Sequence, residues 1–209
     1  MIQPGDPAPD FELPAANAEG TVALAAYRAR RPVLVALFRG LYCPFCRQQM
    51  GRLSRAAPAL RAAGIEPVGI VATAADRARM YFRMRPLDLP LGADPDLRTH
   101  RAYGLGHLAR DAAAHQMVET AARQLALDLR IEIPPGQEAR QVVDRADGFA
   151  AGDSDKADRE RHQIQLTGQF LVDREGIVRW CNHETAATYA VFPDDKMLLS
   201  RVTDLGGSA

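Results

Sequence analysis

The sequence predicts a mixed α/β fold in which parallel strands joined through helices are followed by an antiparallel hairpin and a closing helix. Three observations carry this prediction. Residues 33–38, VLVALF, are six consecutive apolar residues, a length and composition suited to a strand buried on both faces. A second such run, VGIVAT at 68–73, follows a helical pattern, so strand, helix, strand and a further helix succeed one another within about fifty residues. Residues 169–173 and 177–181 then flank Arg174, Glu175 and Gly176, a hairpin signal with a glycine-containing loop.

Taken in order, the elements each have a local reason. Residues 21–24 suit a short strand and 25–29 a helical turn. From Pro44, Met50, Leu53, Ala57 and Leu60 fall on one stripe at spacings of three and four, and Pro44 itself suits a first helical turn. Pro58 lies inside that pattern, which predicts a kink or break near Ala57. Gly64 ends the pattern, and a helix over 74–84 follows the second strand. Pro90 and Leu91 supply a short strand, residues 94–103 a short helix and Gly104 a stop, while residues 194–202 read as the closing helix.

Residues 106–165 have no place in this plan. Met117, Ala121, Leu125 and Leu129, four apart, predict an amphipathic helix over 109–130, ended by Pro134, Pro135 and Gly136. Residues 150–161 are so polar that the expectation is an exposed or mobile loop. The helix at 109–130 is expected either to cover the neighbouring site as a lid or to form a dimer interface.

Composition excludes several classes of function. With 26 basic and 26 acidic residues, the chain has no net charge to attract nucleic acid or an anionic membrane. Residues 1–14 are acidic and proline-rich without an apolar stretch, and no apolar run approaches the roughly 20 residues of a membrane span, so a cytoplasmic protein is expected. Three cysteines in a reducing compartment favour catalysis or metal binding over a disulfide framework. No phosphate-binding glycine loop and no GxSxG occurs.

The chemistry is expected at CPFC, residues 43–46, where the first strand gives way to a helix. Sulfurs at that junction lie among unpaired N–H groups at the positive end of the helix, which favours thiolate over thiol. Thiol pKa values in such settings fall from about 8.5 to roughly 3.5–7.5, and Arg39 and Arg47 are candidates to add to the effect. Zinc is the alternative use of the pair. It needs two more ligands, and Cys181 and His183, returned by the hairpin to the same end of the sheet, are the candidates. His100, His107, His115 and His162 share no ligand spacing and read as surface residues.

Four blocks resemble the peroxiredoxin-like branch of the thioredoxin superfamily, the AhpC/TSA or redoxin family: GDPAPDFELP at 5–14, PVLVALFRGLYCPFCRQQM at 32–50, RAYGL at 101–105 and GQFLVDREGIVRW at 168–180. The resemblance covers about residues 4–105 and 166–203. It implies one thioredoxin-like domain over residues 1–209, with an N-terminal extension and a mostly helical insertion at 106–165. It also implies a cofactor-free enzyme that reduces hydrogen peroxide or organic hydroperoxides, with thiol–disulfide exchange on protein disulfides as the alternative. An external thiol reductant, thioredoxin-like or glutathione, would recycle it, and a homodimer is compatible with the family.

In the family's PxxxTxxC pattern the attacking cysteine falls on Cys46, the threonine on Cys43 and the proline on Arg39, so only the cysteine is kept. The family's arginine before the last strands falls on Thr167, with Arg39 or Arg47 as replacements. Tyr42 stands where thioredoxins usually carry tryptophan and is expected to pack beside the site. In the peroxidase version Cys46 is oxidised and Cys43 resolves; in the thioredoxin version Cys43 attacks and Cys46 resolves. Both end in a Cys43–Cys46 disulfide.

Overall fold

The computed structural model describes residues 1–201 and residue 205. Its centre is a five-stranded mixed sheet built from β3 (Val33–Phe38), β4 (Glu66–Val71), β5 (Leu91–Ala93), β8 (Gly168–Val172) and β9 (Val178–His183), in the order β5-β4-β3-β8-β9. β3, β4 and β5 are parallel, whereas β8 runs antiparallel to β3 and β9 antiparallel to β8. This is the mixed α/β arrangement the sequence predicts. β3 is central because every one of its side chains is buried.

Alternation along β3 divides the core. Leu34, Ala36 and Phe38 join one apolar cluster, and Val33, Val35 and Leu37 join the other. The first cluster includes Met50, Leu53 and Leu60 of α1 (Pro44–Ala62), Ala78 and Phe82 of α2 (Ala75–Met84) and Leu198 of α7 (Asp195–Ser200). Each large side chain removed from water there contributes about 1.5–3 kcal/mol. The second cluster is closed by Phe11, Val22 and Leu24 of the N-terminal segment, which carries the short ladder of β1 (Glu12–Pro14) and β2 (Thr21–Ala23), and by Tyr103, just after α3 (Arg98–Ala102). The same segment also binds both sheet edges. Gly5 N–H donates to Val178 O at 2.8 Å, and Ala16 N–H to Leu91 O at 2.6 Å, so each edge loses part of its free backbone.

α1 departs from expectation at Pro58, because it runs unbroken through that residue. Pro58 is exposed, so the carbonyl that loses its helical partner is on the wet side of the helix, where water replaces the bond. The closing helix occupies Asp195–Ser200, and Val202, where the sequence reading ends it, lies outside the described residues.

Residues 106–165 hold two tiny strands that pair with each other, β6 (His107–Leu108) and β7 (Ile164–Gln165), and three helices between them. α4 (Ala112–Leu129) forms where a helix is predicted, with the Asp111 side chain accepting from Ala114 N–H at its start, but its buried residues are Ala114, Glu119, Ala122 and Ala126, while Met117, Ala121 and Leu125 are part-buried and Leu129 is exposed. It ends at Arg130, which adopts a left-handed conformation at φ 56°, well before Pro134. α5 (Ala139–Arg145) had no sequence signal of its own. Its start is capped from α4, where the Glu119 carboxylate accepts from Ala139 N–H at 2.6 Å and Arg140 N–H at 3.1 Å.

The expected loop at 150–161 is largely helix α6 (Asp153–Arg161). Its polarity concealed its packing. The Asp155 side chain is fully buried, accepts from Gly152 N–H at 2.9 Å, and pairs with Arg77 of α2 at 2.7 Å. Two of the histidines assigned to the surface also lie inside: His100 is 0% exposed and His162 3%. Among the described residues no helix is long and apolar enough to cross a membrane.

Candidate active site

The site forms where β3 ends. The four residues from Arg39 to Tyr42 carry the chain from the sheet into α1, and two hydrogen bonds fix them: Leu41 N–H to Thr73 Oγ1 at 3.0 Å and Cys43 N–H to Gly40 O at 3.0 Å. Gly40 leaves no room for a side chain, since a Cβ there would sit 2.6 Å from the Tyr42 ring and 2.8 Å from Ala72 O. Cys43 is the N-cap of α1, with extended backbone and its sulfur accepting from Cys46 N–H at 3.3 Å. Pro44 occupies the first turn, where its missing N–H costs nothing.

Both cysteines are free thiols and both are buried, so Cys43 is not the exposed helix-start cysteine that the exchange mechanism assumes. Arg39 lies against them. Its Nη1 is 3.6 Å from Cys43 Sγ and 3.6 Å from Cys46 Sγ, its Nε donates to Gln165 O at 2.5 Å, and its Nη2 pairs with Glu184 Oε2 at 2.5 Å. The guanidinium also stacks over the Tyr189 ring, 4.5 Å from its centroid. Glu184 is saturated in turn. Its Oε2 accepts from Thr167 N–H at 2.8 Å and Thr167 Oγ1 at 3.1 Å, and its Oε1 accepts from Ala190 N–H at 2.6 Å. Thr167 thus reaches the sulfurs only through Glu184 and Arg39.

These contacts set the two sulfurs apart electrically. Burial by itself raises the Cys43 pKa, but a hydrogen bond from the Cys46 side chain, the Arg39 charge and the Cys46 N–H together outweigh it, leaving Cys43 at about 6. Cys46 moves the other way: burial and its bond to the Cys43 thiolate hold its proton well above the usual thiol range. The contacts therefore favour the negative charge on Cys43 and the proton on Cys46.

A cavity of about 240 Å³ opens onto Cys43, with Cys46 behind its wall. Arg39, Tyr42, Phe45 and Tyr189 line it from the core, and α4 lies across it through Ala114, His115 and Val118. Tyr42 lines the cavity together with Cys43. Its hydroxyl meets His162 Nδ1 at 3.4 Å, while His162 Nε2 lies 2.8 Å from Pro95 O, which only accepts; the ring proton is therefore on Nε2, and Nδ1 receives the Tyr42 hydroxyl. Burial keeps His162 neutral enough for that role.

Arg47 is engaged elsewhere. It bonds Asp147 at 2.7 Å, Leu41 O at 2.7 Å and Asp144 O at 2.9 Å, and none of its hydrogen bonds reaches a sulfur. The zinc alternative is corrected by the structure. β9 does return Cys181 and His183 to the CPFC end of the sheet, but Cys181 pairs with Phe170 and packs in the cluster on the opposite face from Cys43 and Cys46. His183 shares that parity and stacks edge-on against Phe170 at 5.2 Å. Among the described residues no group of three or more candidate ligands is close enough to hold a metal ion.

Glu184, Gln165 and Tyr189 were not read from the sequence. One signal for Glu184 existed, since an arginine at the end of a buried strand demands an acidic partner. Which of the 26 acidic residues supplies it is a matter of folding alone.

A family model described as the AhpC/TSA family matches residues 4–181. A search of the curated proteins returned no match. Among solved structures, the chain is similar to peroxidoxin BcpB from Mycobacterium tuberculosis, at 14% identity and TM-score 0.60, covering 100% of this chain and 99% of that one. It is similar to AhpC from Enterococcus faecalis, at 11% identity and TM-score 0.62 over 97% and 92% of the two chains. A putative thiol:disulfide interchange protein DsbE from Chlorobium tepidum matches at 18% identity and TM-score 0.55, over 97% and 99%. At these identities the structural likeness establishes the thioredoxin-like fold.

Proposed function

The chain belongs to the AhpC/TSA family, and from that premise we propose that this thiol-dependent oxidoreductase reduces small organic hydroperoxides, with Cys43 as attacking thiolate and Cys46 as resolving thiol. The observation that carries the reading is the asymmetry of the pair: the sulfur with the lowered pKa is the one that lines the cavity, and Arg39 touches both. The assignment reverses the order that alignment with the family's PxxxTxxC pattern implies.

Cys43 S⁻ attacks the outer oxygen of R–O–O–H. The O–O bond breaks, the electron pair leaves on the alkoxide, and the alkoxide takes a proton from solvent to depart as an alcohol. Cys43 is left as a sulfenic acid. Cys46 then gives up its proton, its sulfur attacks Cys43 Sγ, and the hydroxyl leaves as water, forming the Cys43–Cys46 disulfide. A thiol reductant of thioredoxin or glutathione type returns two electrons and two protons to restore the dithiol. With a pKa of about 6, roughly nine-tenths of Cys43 is thiolate at neutral pH, so attack needs no separate base.

Enclosure supports a small substrate. Cys43 is 4% exposed beneath a cavity of about 240 Å³, which suits a compact organic molecule better than a loop of another protein. Residues 106–165 act on this reading as an insertion that roofs the cavity, since Ala114, His115 and Val118 belong to it. A second reading, exchange with small disulfides, is favoured by one observation: the lowered pKa falls on the first cysteine of the CxxC, the attacking position in exchange chemistry.

The test is to oxidise the reduced protein with cumene hydroperoxide while trapping sulfenic acid. Cys46→Ser should accumulate a trapped adduct on Cys43, and Cys43→Ser should react no faster than free cysteine. An adduct on Cys46 would sink the assignment.

A further inference from the structure

The rim of the cavity carries charge that the reduction of a neutral hydroperoxide does not use. Arg110, Arg140 and Arg159 all line it, although they come from three places: the residue before the Asp111 cap of α4, the start of α5 and the end of α6. Among the described residues neither Arg110 nor Arg159 forms an ion pair. The Arg110 guanidinium donates to Arg159 O, which ties the two segments together and leaves both positive charges uncompensated. Arg140 has one carboxylate, Asp144, at the long distance of 3.8 Å. Burial and the positive charge of Arg159 both make Arg140 a stronger acid than a free guanidinium, a sign that the two cations share one space.

The acids nearby offset this cluster only in part, with Asp144 and Glu138 both acting on Arg140. Asp111 lines the same cavity, but its side chain is committed to Ala114 N–H at 2.8 Å. Glu138 lies 3.6 Å from His115. In a chain with no net charge, like charges gathered at the mouth of one cavity are held there against their mutual repulsion. Phe45, Val118 and Ile164 form the apolar wall between the rim and Cys43.

We propose that the substrate of this site is anionic: an organic hydroperoxide whose apolar body carries a carboxylate, bound by Arg110, Arg140 and Arg159 while its O–O bond meets Cys43. This rests on the peroxidase reading above and adds the substrate class. The redox step is unchanged. The carboxylate keeps its charge throughout, and the guanidinium groups, with donors in a planar fork, recognise it without taking part in electron transfer.

The experiment compares two hydroperoxides that differ only in charge, cumene hydroperoxide and its para-carboxylate, in the full-length protein. The wild type should turn over the carboxylate with kcat/KM about tenfold higher, mainly through KM, and added salt should erode that ratio. In Arg110→Gln/Arg159→Gln the ratio of the two kcat/KM values should fall to about one. Arg110 is exposed and Arg159 part-buried, both at the rim, and a thermal melt equal to that of the wild type establishes that the variant is folded. If the wild type reduces both compounds equally well, the anionic-substrate inference is overturned and the peroxidase reading stands. If it reduces neither, the peroxidase reading fails and this inference falls with it.

Discussion

Replacing Arg39 and Glu184 together, as Arg39→Met/Glu184→Gln, should return Cys43 to ordinary thiol behaviour. The single variant Arg39→Met is a poor probe, because it would leave Glu184, 2% exposed, without its cation at a cost of about 3–5 kcal/mol. Glutamine keeps one acceptor oxygen, for Thr167 N–H or for Ala190 N–H but not for both, while the charges leave as a pair. The magnitude follows from the 3.6 Å between Arg39 Nη1 and Cys43 Sγ. At an effective dielectric near 20, two unit charges at that distance attract by about 4.6 kcal/mol, a ceiling that corresponds to a pKa displacement of about 3. Loss of the Glu184 charge offsets part of this. The Cys43 pKa should therefore climb from about 6 to about 8 or higher. The thiolate fraction at neutral pH then drops from about nine-tenths to about one-tenth, and iodoacetamide should alkylate Cys43 about tenfold more slowly. The assay is the alkylation rate of the Cys43 peptide followed by mass spectrometry across pH. A midpoint that stays within about half a pH unit of the wild type would refute the claim that Arg39 holds the thiolate.

Three further outcomes are expected. Because the deprotonated sulfur is the nucleophile, the second-order rate constant for hydroperoxide should rise with pH up to about 6 and level off above it; a rise centred near the ordinary thiol range would contradict the assignment. Gly40→Ala should lower both stability, by about 1–3 kcal/mol, and the hydroperoxide rate, since its Cβ meets the Tyr42 ring at 2.6 Å and a backbone oxygen at 2.8 Å; urea unfolding and stopped-flow oxidation measure the two, and a wild-type result in both would show that the turn has slack. Asp155→Ala should cost about 2–4 kcal/mol in urea unfolding, because it leaves Arg77, 14% exposed, and Gly152 N–H without their acceptor; a loss under about 0.5 kcal/mol would mean that α6 does not depend on its buried carboxylate.

The parts of the molecule that follow a local rule were legible in the chain. VLVALF became a strand buried on both faces, the stripe from Met50 to Leu60 became the helix that covers it, and the spacing of Met117, Ala121 and Leu125 gave α4 nearly to its ends. Failures arose where polar groups satisfy one another at a distance. Residues 153–161 are too hydrophilic to read as packed, yet Asp155 is sealed in by Arg77, 78 positions away. His162 is buried with both ring nitrogens paired, Nε2 donating to Pro95 O and Nδ1 accepting from the Tyr42 hydroxyl, a pairing that no spacing along the chain announces. Pro58 misled for the opposite reason, since the kink rule matters most where water cannot replace the lost bond, and Pro58 faces water.

The sequence by itself determined that two sulfurs stand at a strand-to-helix junction, because apolar runs and a proline at a helix start are properties of neighbours. The tertiary structure decided what cation faces the pair and what can reach it. Cys43 and Cys46 differ locally, since the N-cap sulfur accepts from Cys46 N–H, but the cation that lies 3.6 Å from both, Arg39, is fixed between Glu184 and Gln165, side chain and backbone brought from 145 and 126 positions away. Electrostatic energy depends on distance in space and on burial, and neither is written in the order of residues.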